Sequence, residues 1–266
     1  MMPPPMAATF WKGKPNRAEL ESYAADPRKL LARMDADEVD RVGLINYVSP
    51  DLMGFTDAAN AWMVQYAGAG SVARCSRSGR CNPRFSADVG GETARVIERA
   101  ARALKVHPPH QLFRANAYQD ALPGLADLYR VAQDAGVPVT IHTGTSVFPG
   151  ARSRFGDPMD VDDVAIDFPK LTIPAGARRA AAVDGGRVLP RPPAPERPPR
   201  GVRAFPVEAA GVFSAARRDC RQDDLGHGLA EPGIKSMKLN VEAFRALPLS
   251  DGAEGAILDG NARDWA

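Results

Sequence analysis

The sequence is short of histidine and cysteine, has no long apolar run and carries almost no excess charge. Each shortage excludes something. The four histidines, His107, His110, His142 and His227, include no His-x-His pair. The three cysteines, Cys75, Cys81 and Cys220, match no zinc-binding spacing, and an odd number argues against a disulfide framework. A net charge of +2 gives no field that would gather nucleic acid or a membrane surface. No apolar stretch approaches the ~20 residues of a membrane span. Met1-Met2-Pro3-Pro4-Pro5 has neither the basic start nor the apolar centre of a signal peptide. These exclusions leave the expectation of a soluble cytoplasmic protein. Its partner would be a small-molecule substrate, with no role for nucleic acid or membrane and with homo-oligomerisation left open.

What is present is a length of 266 residues, 44% of them hydrophobic, enough for one large domain. Part of the chain alternates helical and extended patterns. Residues 27–39 have Leu30, Leu31 and Met34 on one helical face, and residues 41–47 form a short apolar strand. Further helices are expected at 57–66, 91–101, 118–135 and 161–168. Strands are expected at 102–107, stopped by Pro108-Pro109, at 137–142, and from 171 to 173. Gly136 closes the helix before the strand at 137–142. Strands alternating with helices predict βαβ units and a parallel sheet.

Two stretches have no period. Residues 174–231 are dominated by Pro, Ala, Gly and Arg, and residues 68–80 carry Ser and Arg where apolar residues belong. Such composition ordinarily marks a disordered linker, yet a linker of that length inside a compact domain is out of place. These are also the residues that a GC-rich gene yields when read out of frame. Ala182 to Leu189 can be written GCT GTG GAT GGA GGA CGC GTT CTT. Begun one base later, it reads Leu-Trp-Met-Glu-Asp-Ala-Phe-Phe, an apolar, helix-like run. Under the same shift Leu225 to Glu231 can read Trp-Gly-Thr-Asp-Trp-Pro-Ser, and Ala175 to Arg179 can read Leu-Ala-His-Gly-Gly. In the other frame, Arg74 to Arg80 can read Leu-Leu-Pro-Phe-Gly-Ser-Val, an apolar strand. All three cysteines lie in or beside these stretches, so none is assigned any chemistry.

The in-frame pieces Asp40 to Pro50, Arg102 to Pro108 and Val137 to Gly144, with Asn240 to Phe244 and Ile257 to Ala262, resemble the amidohydrolase-related family. This family includes metal-dependent decarboxylases as well as hydrolases. The strand ending in His142-Thr143-Gly144 is the most specific of these pieces. The resemblance implies an α/β fold, a (β/α)8 TIM-barrel-like domain over residues 1–266. The barrel is expected to be incomplete, with an irregular segment at about 174–231. It implies a divalent metal, usually zinc, at the C-terminal mouth of the barrel, where such enzymes keep their reactive groups. The family's ligands are a His-x-His pair after strand one, a His after strand five and an Asp after strand eight, with a further His after strand six. Imidazole and carboxylate ligands suit zinc, and an open coordination position lets a bound water ionise near neutral pH.

Transferred residue by residue, the resemblance places His142 as the strand-five metal ligand, against the plainer reading of an ordinary strand-end histidine. The His-x-His pair is expected upstream of Met1, because Pro3-Pro4-Pro5 resembles the family sequence immediately downstream of that pair. The strand-six His and strand-eight Asp occur only in the shifted frame, over Ala177-Arg178 and Gly228, and His227 receives no role. Lys105 and His107, at a strand end, are candidate substrate-binding residues: Lys105 could bind a substrate carboxylate or equally be carboxylated to bridge two metals, as in some relatives, or the pair could merely orient the next loop. His110, in the loop beyond, reads as structural or solvent-exposed. Arg152 and Arg154 follow strand five and could clamp an acidic substrate, or lie in a solvated loop. The implied activity is hydrolysis of a small amide, ester or lactone, impaired in the chain as written. Non-oxidative decarboxylation and a catalytically dead remnant are the alternatives.

Overall fold

The apolar runs 103–106 and 139–141 become adjacent strands because each alternates one inward face with one outward face and is flanked by chain-breaking residues. The computed structural model describes residues 11, 16–68, 75–79, 81–99, 101–146, 148–173 and 236–246. Its elements in chain order are α1 (Arg17–Ala25), α2 (Pro27–Ala36), β1 (Val42–Leu44), α3 (Pro50–Met53), α4 (Ala58–Gly68), β2 (Cys75–Gly79) and α5 (Val89–Glu98). These are followed by β3 (Ala103–Val106), α6 (Pro108–Gln111), α7 (Gly124–Asp134), β4 (Val139–Ile141), α8 (Pro158–Asp167) and α9 (Met237–Arg245). The chain divides into two compact units. One comprises Met1–Leu44, Trp62–Ser76 and Phe205–Ala266, the other Ile45–Ala61 and Arg77–Ala204.

In the first unit, α1 ends and α2 begins at one residue. Asp26 is extended, its carboxylate accepts the Arg28 N–H at 3.0 Å, and Pro27 occupies the first helical position, where its missing N–H costs nothing. Leu20, Tyr23, Leu30 and Met34 are buried. Arg33 joins the two helices to the turn after them, at 3.0 Å from Glu19 and 2.9 Å from Asp37. The Tyr66 hydroxyl donates to the Tyr23 carbonyl at 2.6 Å. Ser236 caps α9 by accepting the Leu239 N–H at 3.0 Å, and the Met237 N–H donates to Asp37 at 2.9 Å.

In the second unit β2, β3 and β4 run parallel in sequence order, with Leu104 opposite Val139, Lys105 opposite Thr140 and Val106 opposite Ile141. Helices α5 and α7, which connect these strands, pack against each other. The core is built from Leu104, Val106, Val139 and Ile141 of the strands, Leu125, Leu128, Tyr129 and Ala132 of α7, and Val164 and Phe168 in and after α8. Each large aliphatic side chain so buried contributes about 1.5–3 kcal/mol. By alternation, residues 105, 107, 140 and 142 fall on the other face of the sheet. The loop at 114–119 is held to α8, where Arg114 meets Asp160 at 3.1 Å, Asn116 meets Asp163 at 2.7 Å and Tyr118 meets Asp167 at 2.6 Å.

Several sequence expectations change. The helix expected at 118–135 is a 3₁₀ turn at Ala117–Gln119 followed by α7. Pro123 has no N–H to continue a helix and instead starts one. Gly136 does close α7, with φ of +67°. Residues 171–173 are not a ladder strand. They supply one carbonyl, Thr172, to the Val139 N–H at 2.9 Å, and bury Leu171 and Ile173. Helix α1 was not expected from the sequence. Within the aperiodic stretch 68–80 the chain nevertheless forms β2, parallel to β3. Residues 174–231 lie outside the described residues. No helix among the described residues is long and apolar enough to cross a membrane.

Candidate functional site

The register of β3 and β4 decides the centre of the site. Val106 pairs with Ile141, so the next residue of each strand, His107 and His142, emerges side by side. The His142 N–H donates to the Val106 carbonyl at 2.9 Å, one step beyond the ladder. The two imidazoles stack with centroids 4.0 Å apart and 11° between planes. A third ring joins them through local geometry. His107 precedes the single turn α6, whose first residue is Pro108, and the His110 and Gln111 N–H groups both donate to the His107 carbonyl at 2.9 Å. Residues three apart on such a turn lie one above the other, and His110 stacks on His107 at 3.6 Å and 8°. The column His142–His107–His110 is flanked by Tyr47, 5.2 Å from His107 and 5.5 Å from His110.

His110 is fixed at both ring nitrogens. Nδ1 is 2.7 Å from the Tyr47 hydroxyl and Nε2 is 2.6 Å from Ser146 Oγ. The Ser49 hydroxyl donates to the His110 carbonyl at 2.7 Å, and Gln111 accepts the His107 N–H at 2.8 Å while donating to the Val48 carbonyl at 3.1 Å. His107 and His110 are buried and His142 is half-buried. The loop after His142 is pinned at its base. The Gly144 N–H donates to the Gly156 carbonyl at 2.7 Å, and Gly144 sits at φ of +93°, a conformation glycine adopts without strain. A side chain at Gly156 would place its Cβ 2.3 Å from the Gly144 carbonyl oxygen.

The structure thus brings together His142, His107 and, on the same strand face, half-buried Lys105. Arg152 and Arg154 are in the pinned loop, with exposed side chains. The Arg152 N–H donates to the Pro109 carbonyl at 3.1 Å, and the Arg154 guanidinium lies 4.8 Å from the centroid of the Phe155 ring. His110 is structural and buried rather than exposed. Its His-Pro-Pro-His spacing was a signal available in the sequence. Tyr47 and Ser146 carried no such signal, because their roles depend on the fold. On α8, Asp160 is buried, and burial raises its carboxyl above the ordinary range despite Arg114 beside it.

The arrangement does not by itself form a metal centre. Zinc needs imidazole nitrogens converging at about 2.0–2.1 Å from one point, whereas rings stacked face to face present their nitrogens side by side. His142 Nε2 lies 3.3 Å from the Thr145 carbonyl oxygen. Among the described residues no group of three or more His, Cys, Asp or Glu side chains could hold a metal ion. What the site offers is a rigid aromatic wall, a strand-end imidazole and a nearby ammonium group.

The sequence profile of the Amidohydrolase family matches residues 9–173. The match takes in β1 to β4 and stops where the long aperiodic stretch begins. The family-like pieces at 240–244 and 257–262 fall outside it. Among solved structures, an uncharacterized TIM-barrel protein, Bb4693 from Bordetella bronchiseptica, superposes with a TM-score of 0.63 at 20% identity. The superposition covers 94% of this chain and 84% of that one. It establishes the barrel type of fold, although the described strands form an open sheet. No curated protein matches the chain.

Proposed function

Because the chain belongs to the amidohydrolase family, we propose that it is a metal-dependent hydrolase by descent, acting on a small amide, ester or lactone, with impaired activity in the present chain. The family generally uses divalent metals, and zinc is the ion this reading assigns. The observation that carries it is the position of His142. The residue ends an apolar strand inside the matched region, on the sheet face opposite the apolar core, beside His107 and Lys105. Reactive groups of barrel enzymes occupy this position. In this reading His142 is a metal ligand, and Lys105, His107, Arg152 and Arg154 bind the substrate in a cytoplasmic enzyme. Neither nucleic acid nor membrane takes part.

The metal's contribution when bound would be to activate water and polarise the scissile carbonyl. The described residues do not fit a closed ligand set, and what they do is orient. The stacked column fixes the His142 ring plane, and Tyr47 and Ser146 fix His110 beneath it. The test is turnover of a panel of small esters, lactones and amides with zinc supplied, repeated in chelator and with His142→Ala. Weak turnover abolished by both treatments is expected. If no substrate shows chelator-sensitive hydrolysis, the hydrolase reading fails for this chain.

A further inference from the structure

Ser146 and His110 stand at the distance of a nucleophile and its base. Ser146 Oγ is 2.6 Å from His110 Nε2, and His110 Nδ1 is 2.7 Å from the Tyr47 hydroxyl. A hydroxyl within about 2.6–3.2 Å of a base, with that base oriented by a third group, is the general arrangement for covalent catalysis. Geometry and role define it, not position in the chain. All three residues belong to the second unit. His110 is 6% exposed, and its ring is stacked on His107 at 3.6 Å. Ser146 is half-buried and lies between exposed Thr145 and exposed Pro149. The Phe148 N–H donates to Ser146 Oγ at 3.1 Å, which fixes the oxygen and leaves its proton to point at Nε2. Nε2 accepts that proton when Nδ1 carries the ring proton and donates it to the Tyr47 oxygen.

We propose that Ser146 is a metal-independent nucleophile that takes an acyl group from a small activated ester. His110 is its general base and Tyr47 the residue that positions His110. Ser146 Oγ bonds to the ester carbonyl carbon while its proton passes to His110 Nε2. The bond from that carbon to the leaving oxygen then breaks, and the leaving oxygen takes the proton from Nε2. The products are O-acyl-Ser146 and an alcohol, with no change of oxidation state. Tyr47 offers a neutral hydroxyl where a serine hydrolase has a carboxylate, so the base is a modest one. The His110 ring is buried, so water reaches Nε2 slowly once Oγ is acylated, and the acyl form accumulates. The activity is therefore one acyl transfer per chain, separate from the metal-dependent turnover proposed above.

The experiment mixes the full chain with p-nitrophenyl acetate in excess chelator, follows nitrophenol release, and maps the acetyl group by peptide mass spectrometry. Chelator silences any metal-dependent hydrolysis, so this result and that of the hydrolase assay stand or fall separately. The parent should release a burst of about one equivalent per chain and carry the acetyl group on Ser146. Ser146→Ala should show no burst. His110→Gln should slow acylation by about a hundredfold or more. Tyr47→Phe should slow it by about tenfold at undiminished burst amplitude, a smaller loss because the stack on His107 still holds the base. A variant that merely folded poorly would lose amplitude instead of rate. Absence of a burst in the parent, an acetyl group mapped to another residue or a burst retained by Ser146→Ala would each overturn the proposal. So would a Tyr47→Phe variant that acylates at the parent's rate.

Discussion

The loop that carries Ser146, Arg152 and Arg154 depends on two glycines meeting back to back, so Gly156→Ala is a sharp test of the site's geometry. An added Cβ would meet the Gly144 oxygen at 2.3 Å and its nitrogen at 3.0 Å. The obstacle is backbone, which cannot rotate aside as a side chain can. Relief requires lengthening the 2.7 Å bond from the Gly144 N–H to the Gly156 carbonyl, whose loss costs about 0.5–1.5 kcal/mol. Residual overpacking adds about 1–3 kcal/mol, giving a total of about 1.5–4.5 kcal/mol. At about 2–4 °C per kcal/mol for a chain of this size, the melting temperature should fall by about 3–18 °C in a circular-dichroism melt. Displacing the loop base should also pull Ser146 from His110, detectable as a changed imidazole proton spectrum. A variant melting within about 1 °C of the parent, with an unchanged histidine spectrum, would refute the glycine contact and the loop placement built on it.

Burial holds the Asp160 carboxyl above its ordinary value of 3.8, so its protonated form favours the fold. That contribution is fully present below the unfolded value and is lost as pH rises through the folded one. Asp160→Asn should therefore be more stable than the parent near neutral pH, with the difference vanishing as pH falls toward 3.8. A melting-temperature difference that grows on acidification would contradict this. Resequencing of the gene should reveal compensating single-base displacements bounding residues 68–81 and 174–231, and a corrected frame should encode a His after strand six and an Asp after strand eight. Reads confirming the present frame throughout would leave the chain a genuine relative with an isolated strand-end histidine.

Much of the second unit was legible because its signals are local. The strands at 103–106 and 139–141 are apolar runs between breakers, α5 and α7 have amphipathic spacing, and Gly136 marks a helix end. Helix α1 was not legible, since only Leu20, Tyr23 and Ala24 bury and its other positions are mostly polar. Strand β2 was hidden for a different reason. Its text, Cys75-Ser76-Arg77-Ser78-Gly79, is polar where a parallel strand is ordinarily a near-continuous apolar run. The family match ends at Ile173, where the long aperiodic stretch begins. At the site, His142, His107 and Lys105 were legible as strand ends. Their adjacency was not, because it depends on the register of two strands separated by a helix. Tyr47 and Ser146 join the site only through the tertiary fold, so nothing in their own sequence neighbourhood marked them.

The central claim is that the described residues of this amidohydrolase-family chain include the strand-end histidine His142 but no closed metal site, and zinc content tests this most directly. Purified protein, loaded with excess zinc and dialysed, would be analysed for zinc per chain by atomic absorption, with His142→Ala alongside. The account predicts well below one zinc per chain for the parent and less for the variant. One zinc retained per chain, unaffected by His142→Ala, would contradict it.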